Sequence, residues 1–197
     1  MKLNAEDGGH RKFIMVQLPE VTDEKSEARK AGYANICEIG KERIRRAGKK
    51  VKEEAGLQGQ DLDIGFRVLK LDSSNMEDVY YTPDDLTEQT LFNSVDNVKP
   101  DRTPLDLLFQ VLPELNIELS ARIEEKEVHG KKVFMVNGDQ LIATFDTDVN
   151  ESTITEIAKL RPIYFVMRDA SAENDNVLDN FEQIFKHYSP DTIRRIL

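Results

Sequence analysis

The chain has 197 residues, 39% of them hydrophobic and 32% charged, and its 27 Lys/Arg against 37 Asp/Glu leave a net charge of −10. This is enough chain for one or two domains, and so negative a balance argues against a protein that coats nucleic acid by bulk electrostatics. One cysteine, Cys37, excludes an internal disulfide framework and a multi-cysteine metal site and fits a reducing compartment; no run approaches the roughly 20 apolar residues of a membrane span and the first residues lack the apolar core of a signal peptide, so a cytoplasmic location away from the membrane is expected.

Charge divides the chain. Residues 1–60 hold 13 Lys/Arg and 10 Asp/Glu, whereas the remaining 137 residues carry a net −13. The glycine-containing polar stretch Glu53–Asp61 lies between the two parts, so a boundary near 56–62 is expected. In the first part, Phe13–Leu18 is a short, nearly continuous apolar run stopped by Pro19, which predicts a parallel strand buried on both faces. Asn35 with Glu38 forms a capping-box pattern, predicting a long helix from Ile36. Its apolar stripe runs through Ile36, Ile39, Ile44, Ala47 and Val51, basic residues fill the rest, and Gly56 provides a stop.

In the second part, Ile64–Leu71 alternates partially and predicts a strand, followed by the turn residues Asp72–Asn75. The polar stretch 84–101 has no clear period. Thr103-Pro104 is a cap followed by a favoured first-turn proline, and Leu105, Leu108, Leu112 and Leu115 mark a buried helix that Pro113 should kink or end. Strands are expected over Ile123–Val128, Lys132–Val136 and Gln140–Phe145, separated by His129-Gly130 and by Asn137-Gly138-Asp139, a strong hairpin signal. Asn150 caps a helix through Ile154, Ile157, Ala158 and Leu160, Pro162 precedes a buried strand over 163–167, and a last helix over about 175–186 buries Val177, Leu178, Phe181, Ile184 and Phe185. The fold class is α/β, with no internal repeat.

No catalytic set is complete. There is no G-x-S-x-G turn and no base partner for Cys37, which reads as a packing residue at a helix start. His10, His129 and His187 have no metal-ligand spacing and read as surface or turn residues. Pro100-Asp101 with Glu124-Glu125-Lys126 formally satisfies the PD…E-x-K pattern of magnesium-dependent nucleases. That chemistry needs the Asp and Glu side by side, yet Asp101 falls at a helix start and Glu124 on a separate strand, so separate structural roles are the preferred reading. The basic helix carries seven Lys/Arg against Glu42 alone in residues 41–52; a solvated face is preferred over phosphate contact. Glu20, just past the apolar run, occupies the place where nucleotide-binding α/β folds put an acid against ribose hydroxyls, although no glycine-rich turn precedes it.

Longer words carry a resemblance. Leu3-Asn4-Ala5-Glu6-Asp7-Gly8-Gly9 with Arg11-Lys12-Phe13-Ile14, Val16-Gln17-Leu18-Pro19-Glu20, Ile39–Ala47, Gly65–Met76, Asp106–Val111, and Phe181–Phe185 with Ser189–Arg194 together resemble the methyltransferase (Mod) subunit of type III restriction-modification systems, a beta-class DNA adenine-N6 methyltransferase. The resemblance implies methyl transfer from S-adenosylmethionine to a flipped adenine. It implies a fold in which residues 1–60 are the remnant of a Rossmann-like methyltransferase sheet (strand plus long basic helix) and 61–197 a small mixed α/β C-terminal assembly domain. Glu20 becomes the candidate for the cofactor ribose. The family's D-P-P-Y-type tetrapeptide and F-x-G-x-G loop do not occur here, so no catalytic residue and no metal ligand is carried over, and the chain matches only the C-terminal portion of such a subunit, from just after the cofactor loop. Alone it is expected to be inactive and to bind no S-adenosylmethionine. Its implied partners are a second Mod copy, the restriction (Res) subunit, and DNA through the intact enzyme; the alternative reading is a stand-alone, non-catalytic dimerisation or Res-binding module.

Overall fold

Asn35 holds extended backbone while its side chain accepts the Glu38 N–H at 3.1 Å, and this cap starts α3 (Ile36–Ala55). Only half of the capping box forms, because the Glu38 carboxylate accepts from Lys41 Nζ at 2.6 Å instead. The helix stops at Gly56, whose φ of 56° a side chain would resist. The structure, a computed structural model, describes residues 1–77, 97–171 and 175–197, so most of the polar stretch 84–101 lies outside the described residues. The chain divides into two compact units, Met1–Lys70 and Leu71–Leu197.

The first unit holds α1 (Lys2–Asp7), the single turn α2 (Glu27–Lys30) and α3. The expected buried strand over Phe13–Leu18 does not form: these residues are irregular and exposed, with Ile14 at 93% and Val16 at 94%. A strand needs a neighbour for its backbone groups, and no segment among the described residues of this unit supplies one. Residues 64–70 are irregular for the same reason. Of α3 only Gly48 is buried; a Cβ there would stand 3.0 Å from Ile64 Cβ.

The second unit is built on a five-stranded sheet in the order β1 (Ile123–Val128), β2 (Lys131–Val136), β3 (Leu141–Thr144), β4 (Tyr164–Met167), β5 (Ile193–Ile196). The first three strands are antiparallel and the last three parallel. His129-Gly130, both at positive φ (50° and 76°), forms the two-residue turn between β1 and β2, where Val128 pairs with Lys131. Asn137-Gly138 (49° and 76°) opens a longer loop, since Val136 pairs with Leu141. The parallel strands need crossovers, and α5 (Glu151–Lys159) and α6 (Asp175–Tyr188) provide them.

Side chains alternate across this sheet. Phe134, Val136, Leu141, Ala143 and Val166 pack with α4 (Pro104–Glu114), while Val133, Ile142, Phe165 and Met167 pack with α5 and α6. The sheet is therefore covered on both faces by helices. Thr103 and Asp106 complete a capping box at α4, where Asp106 Oδ2 accepts the Thr103 N–H at 2.7 Å. This helix buries Leu107, Leu108, Val111 and Leu112, with Leu115 just past its end, so its core face is turned from the expected stripe and Leu105 is exposed. Both stripes have helical period, and only the sheet decides between them. Leu160 is likewise exposed. Phe181 and Phe185 are buried as expected, whereas the side chains of Val177 and Leu178 lie outside the described residues.

Ile193–Ile196 forms a strand that its composition does not announce. Its entry is set by buried polar groups: Ser189 Oγ and Thr192 Oγ1 share a hydrogen bond of 2.6 Å, and Thr192 Oγ1 donates to the Pro162 carbonyl at 2.5 Å. Both residues belong to the Ser-Pro-Asp-Thr word quoted above. Phe165 stacks on Phe185 at 5.2 Å and tilts against Phe181 at 5.4 Å. Phe165→Ala is expected to cost about 3–5 kcal/mol, read as a lowered midpoint of chemical denaturation of the full chain.

Candidate functional site

The word Asn4…Asp7-Gly8-Gly9…Arg11 closes on itself. Asn4 exchanges two hydrogen bonds with the Arg11 backbone, each 3.1 Å, and Asp7 receives both ends of the Arg11 guanidinium at 2.8 and 2.7 Å. Gly8 takes the left-handed φ of 67° that lets the chain turn back, and the Gly9 N–H adds a third donor to Asp7 at 3.0 Å. These donors, the Arg11 side chain first, hold the Asp7 carboxyl down to about 2. The clasp sets the point at which the apolar segment 13–18 leaves α1. Nothing in the residue types alone signals it beyond an Asp-Gly-Gly followed by Arg.

That segment runs back to the start of α3. The Ile36 N–H donates to the Glu20 carbonyl at 2.9 Å, Val21 forms an isolated bridge with Asn35, and the half-buried Cys37 thiol approaches the carbonyls of Gln17 and Leu18 at 3.6 and 3.7 Å. Glu20 is thereby tethered at the N-terminal end of a 20-residue helix, with its side chain exposed. Cys37 serves this contact. On the flank of α3, a groove of about 470 Å³ has Tyr33, Ile39 and Ala47 in its lining and Arg43, Arg46 and Lys50 among its charged residues. Glu42 neutralises part of this edge, lying 2.7 Å from Arg46 and 3.8 Å from Arg45. These close pairs hold Glu42 below the usual carboxylate range.

The nuclease spacing is not assembled. Asp101, in the turn before α4, pairs with Arg102 at 3.2 Å; Glu124, on the edge strand β1, pairs with Arg122 at 2.9 Å and lies 4.0 Å from Lys126. Among the described residues no group of three or more His, Cys, Asp or Glu is placed to hold a metal. His129 occupies the β1–β2 turn, and His187 lies edge-on to Tyr188 at 4.6 Å. No helix among the described residues is long and apolar enough to cross a membrane.

No family model matches the chain. Over 67 residues, 34% of this chain and 10% of the relative, it is 40% identical to the type III restriction-modification enzyme StyLTI Mod subunit of Salmonella typhimurium strain LT2. Over 88 residues, 42% of this chain and 14% of the relative, it is 39% identical to the EcoP15I Mod subunit of Escherichia coli. The chain is thus related to type III Mod subunits, and the matched stretches span 10% and 14% of the length of these curated relatives.

The Asp7–Arg11 clasp has a pH signature. Because the folded carboxyl titrates at about 2 against an ordinary 3.8, the pair supports the folded state above pH 3.8, and that support disappears as pH falls through about 2. A carboxyl-carbon NMR titration should place the Asp7 midpoint near 2, and Arg11→Gln should return it toward 3.8.

Proposed function

We propose that this chain is the C-terminal part of a type III Mod subunit, a DNA adenine-N6 methyltransferase that uses S-adenosylmethionine. In this reading residues 1–60 complete a methyltransferase domain and 61–197 form an assembly domain. One observation carries it. Among the described residues every buried apolar side chain lies between Leu107 and Phe185, while the first unit presents an apolar strand-like run and an amphipathic helix with no core of their own. A 20-residue helix draws most of its stability from burying its apolar face, and an apolar run such as Phe13–Leu18 is stable in a sheet only between neighbours. Both features fit a piece whose missing partners are the strands of a larger sheet.

The cofactor, when bound, would supply a methyl group on a sulfonium sulfur that leaves as a neutral thioether. In this reading Glu20 is the residue of this chain that would meet its ribose. Its exposed carboxylate has two acceptor oxygens, which match the two vicinal hydroxyl donors of a ribose. The Glu20 carbonyl bond to the Ile36 N–H and the Asn35 cap fix the backbone from which that carboxylate projects. The groups that orient the adenine and the glycine-rich turn that approaches the methionine end belong to other parts of the subunit. The second unit, with 12 Lys/Arg against 25 Asp/Glu in residues 71–197, presents an acidic surface suited to basic protein surfaces; its partners in this reading are a second Mod copy and the Res subunit, and DNA contact belongs to the intact enzyme.

The test is transfer of labelled methyl groups to adenine in duplex DNA. The 197-residue chain alone is expected to transfer none, and the same chain joined to a Mod segment bearing the F-x-G-x-G loop and the D-P-P-Y tetrapeptide is expected to be active. In the joined protein, Glu20→Ala should raise KM for S-adenosylmethionine by about tenfold, the equivalent of one charge-assisted hydrogen bond, with kcat nearly unchanged. Methylation by the chain alone would sink the reading.

A further inference from the structure

The sheet of the second unit ends in β1 on one side and β5 on the other. Backbone N–H and C=O groups point to alternate sides along a strand. The Ile193 N–H donates to the Ile163 carbonyl and the Leu197 N–H to the Met167 carbonyl, each at 2.9 Å, so the odd positions of β5 face β4. The backbone groups of Arg194 and Ile196 therefore point outward, where no strand among the described residues meets them. On β1 the Asn137 N–H donates to the Arg122 carbonyl at 2.8 Å, and Val128 pairs with Lys131 across the two-residue turn. Its even positions thus face β2, which leaves Ile123, Glu125 and Glu127 outward. Open rows of this kind are templates for a further strand.

The two edges match each other. Two antiparallel and two parallel pairings lie between β1 and β5, so both run in the same direction. A second copy with its helices on the same sides therefore offers β1 parallel to β5. In a parallel ladder a bonded residue stands opposite one that points away and bonds to that residue's neighbours, as Ile193 stands opposite Tyr164 and bonds to Ile163. Arg194 opposite Glu124 of the second copy meets this condition, and Ile193 and Arg195 then stand opposite its Ile123 and Glu125. The faces agree as well: Arg195 lies beside Val166 and Glu125 beside Phe134, and both Val166 and Phe134 face α4. Charge fixes the register, because a slip of two residues in either direction sets Arg194 against Arg122 or Lys126. Two-fold pairing of like edges, centred on each strand, instead sets Arg195 opposite Arg195 or Glu125 opposite Glu125, and directly opposed like charges destabilise a sheet.

We propose that copies of this chain assemble head to tail, with β5 of one copy pairing in parallel with β1 of the next. The charged side chains keep their present neighbours in this pairing. Glu124 lies 2.9 Å from Arg122 and 4.0 Å from Lys126, Glu125 3.1 Å from Lys132, and Arg195 3.9 Å from Glu114, while Arg194 donates to the Glu182 carbonyl at 3.5 Å. Exposed pairs of this kind contribute little. A carboxylate and a guanidinium each have more hydrogen-bonding positions than these contacts use, so the contacts between copies add to them. Because the two surfaces in contact are different, the pairing repeats into a ring or a filament and does not stop at two copies. It does not rest on the methyltransferase reading, since every residue it uses lies in the second unit and its test reads assembly, not methylation.

Light scattering and sedimentation equilibrium of the full chain over a wide concentration range test it. The average mass is expected to rise with concentration and to pass that of a dimer. Arg194→Glu with Arg195→Glu, and separately Glu124→Arg with Glu125→Arg, should each weaken association about tenfold. An equal mixture of these two variants restores opposite charges at every junction, and its association should return to within about twofold of the original chain. Ile196→Pro probes the same edge independently, because it removes one outward N–H and leaves the ladder to β4 whole; it should weaken association as well. Circular dichroism checks that each variant is folded. A mass that stays at the monomer value or levels off at a dimer overturns the proposal, as does association that the charge reversals leave unchanged or a mixture no stronger than its separate components.

Discussion

The parallel pairing of β3 with β4, Leu141–Thr144 against Tyr164–Met167, is the contact on which the second unit depends. It joins an antiparallel meander to a parallel pair and gives each face of the sheet its own helix layer. Ile142 beside Phe165 faces α5 and α6, while Ala143 beside Val166 faces α4. Burial on both faces leaves no position along these strands for a polar surface residue, which is why both read as continuous apolar runs. The one polar side chain in β3, Thr144, is buried and donates to the Lys132 carbonyl at 2.9 Å.

The same physics explains the first unit by its absence. Phe13–Leu18 has the composition of a central strand, yet a strand is a relation between two segments, and among the described residues no neighbour exists for it. The run is held instead through local contacts: the Asn4–Asp7–Arg11 clasp at one end, and the Glu20–Ile36 and Cys37 contacts at the other. Kinship with Mod subunits covers part of the chain, and among the described residues the first unit has no buried apolar side chain.

Charge follows the same division. The sheet edges carry it where it keeps strands from pairing wrongly: β1 reads Ile-Glu-Glu-Lys-Glu-Val and β5 Ile-Arg-Arg-Ile.

Local chemistry was legible in the sequence. Asn35, Thr103-Pro104, Asn150, Gly56 and the glycine turns act through groups within four residues of one another, so α3, α4, α5 and the β1–β3 meander were marked where they form. Mod kinship was likewise legible, in words such as Asp7-Gly8-Gly9 and Ser189-Pro190-Asp191-Thr192, although the hydrogen bonds those words make were not. Only tertiary structure decided three matters. It turned α4 so that Leu107 and Val111, and not Leu105, face the sheet; it made a strand of Ile193–Ile196; and it left Phe13–Leu18 unpaired. Each depends on a surface supplied by residues distant in sequence, and periodicity records that a face is apolar without recording what lies opposite it.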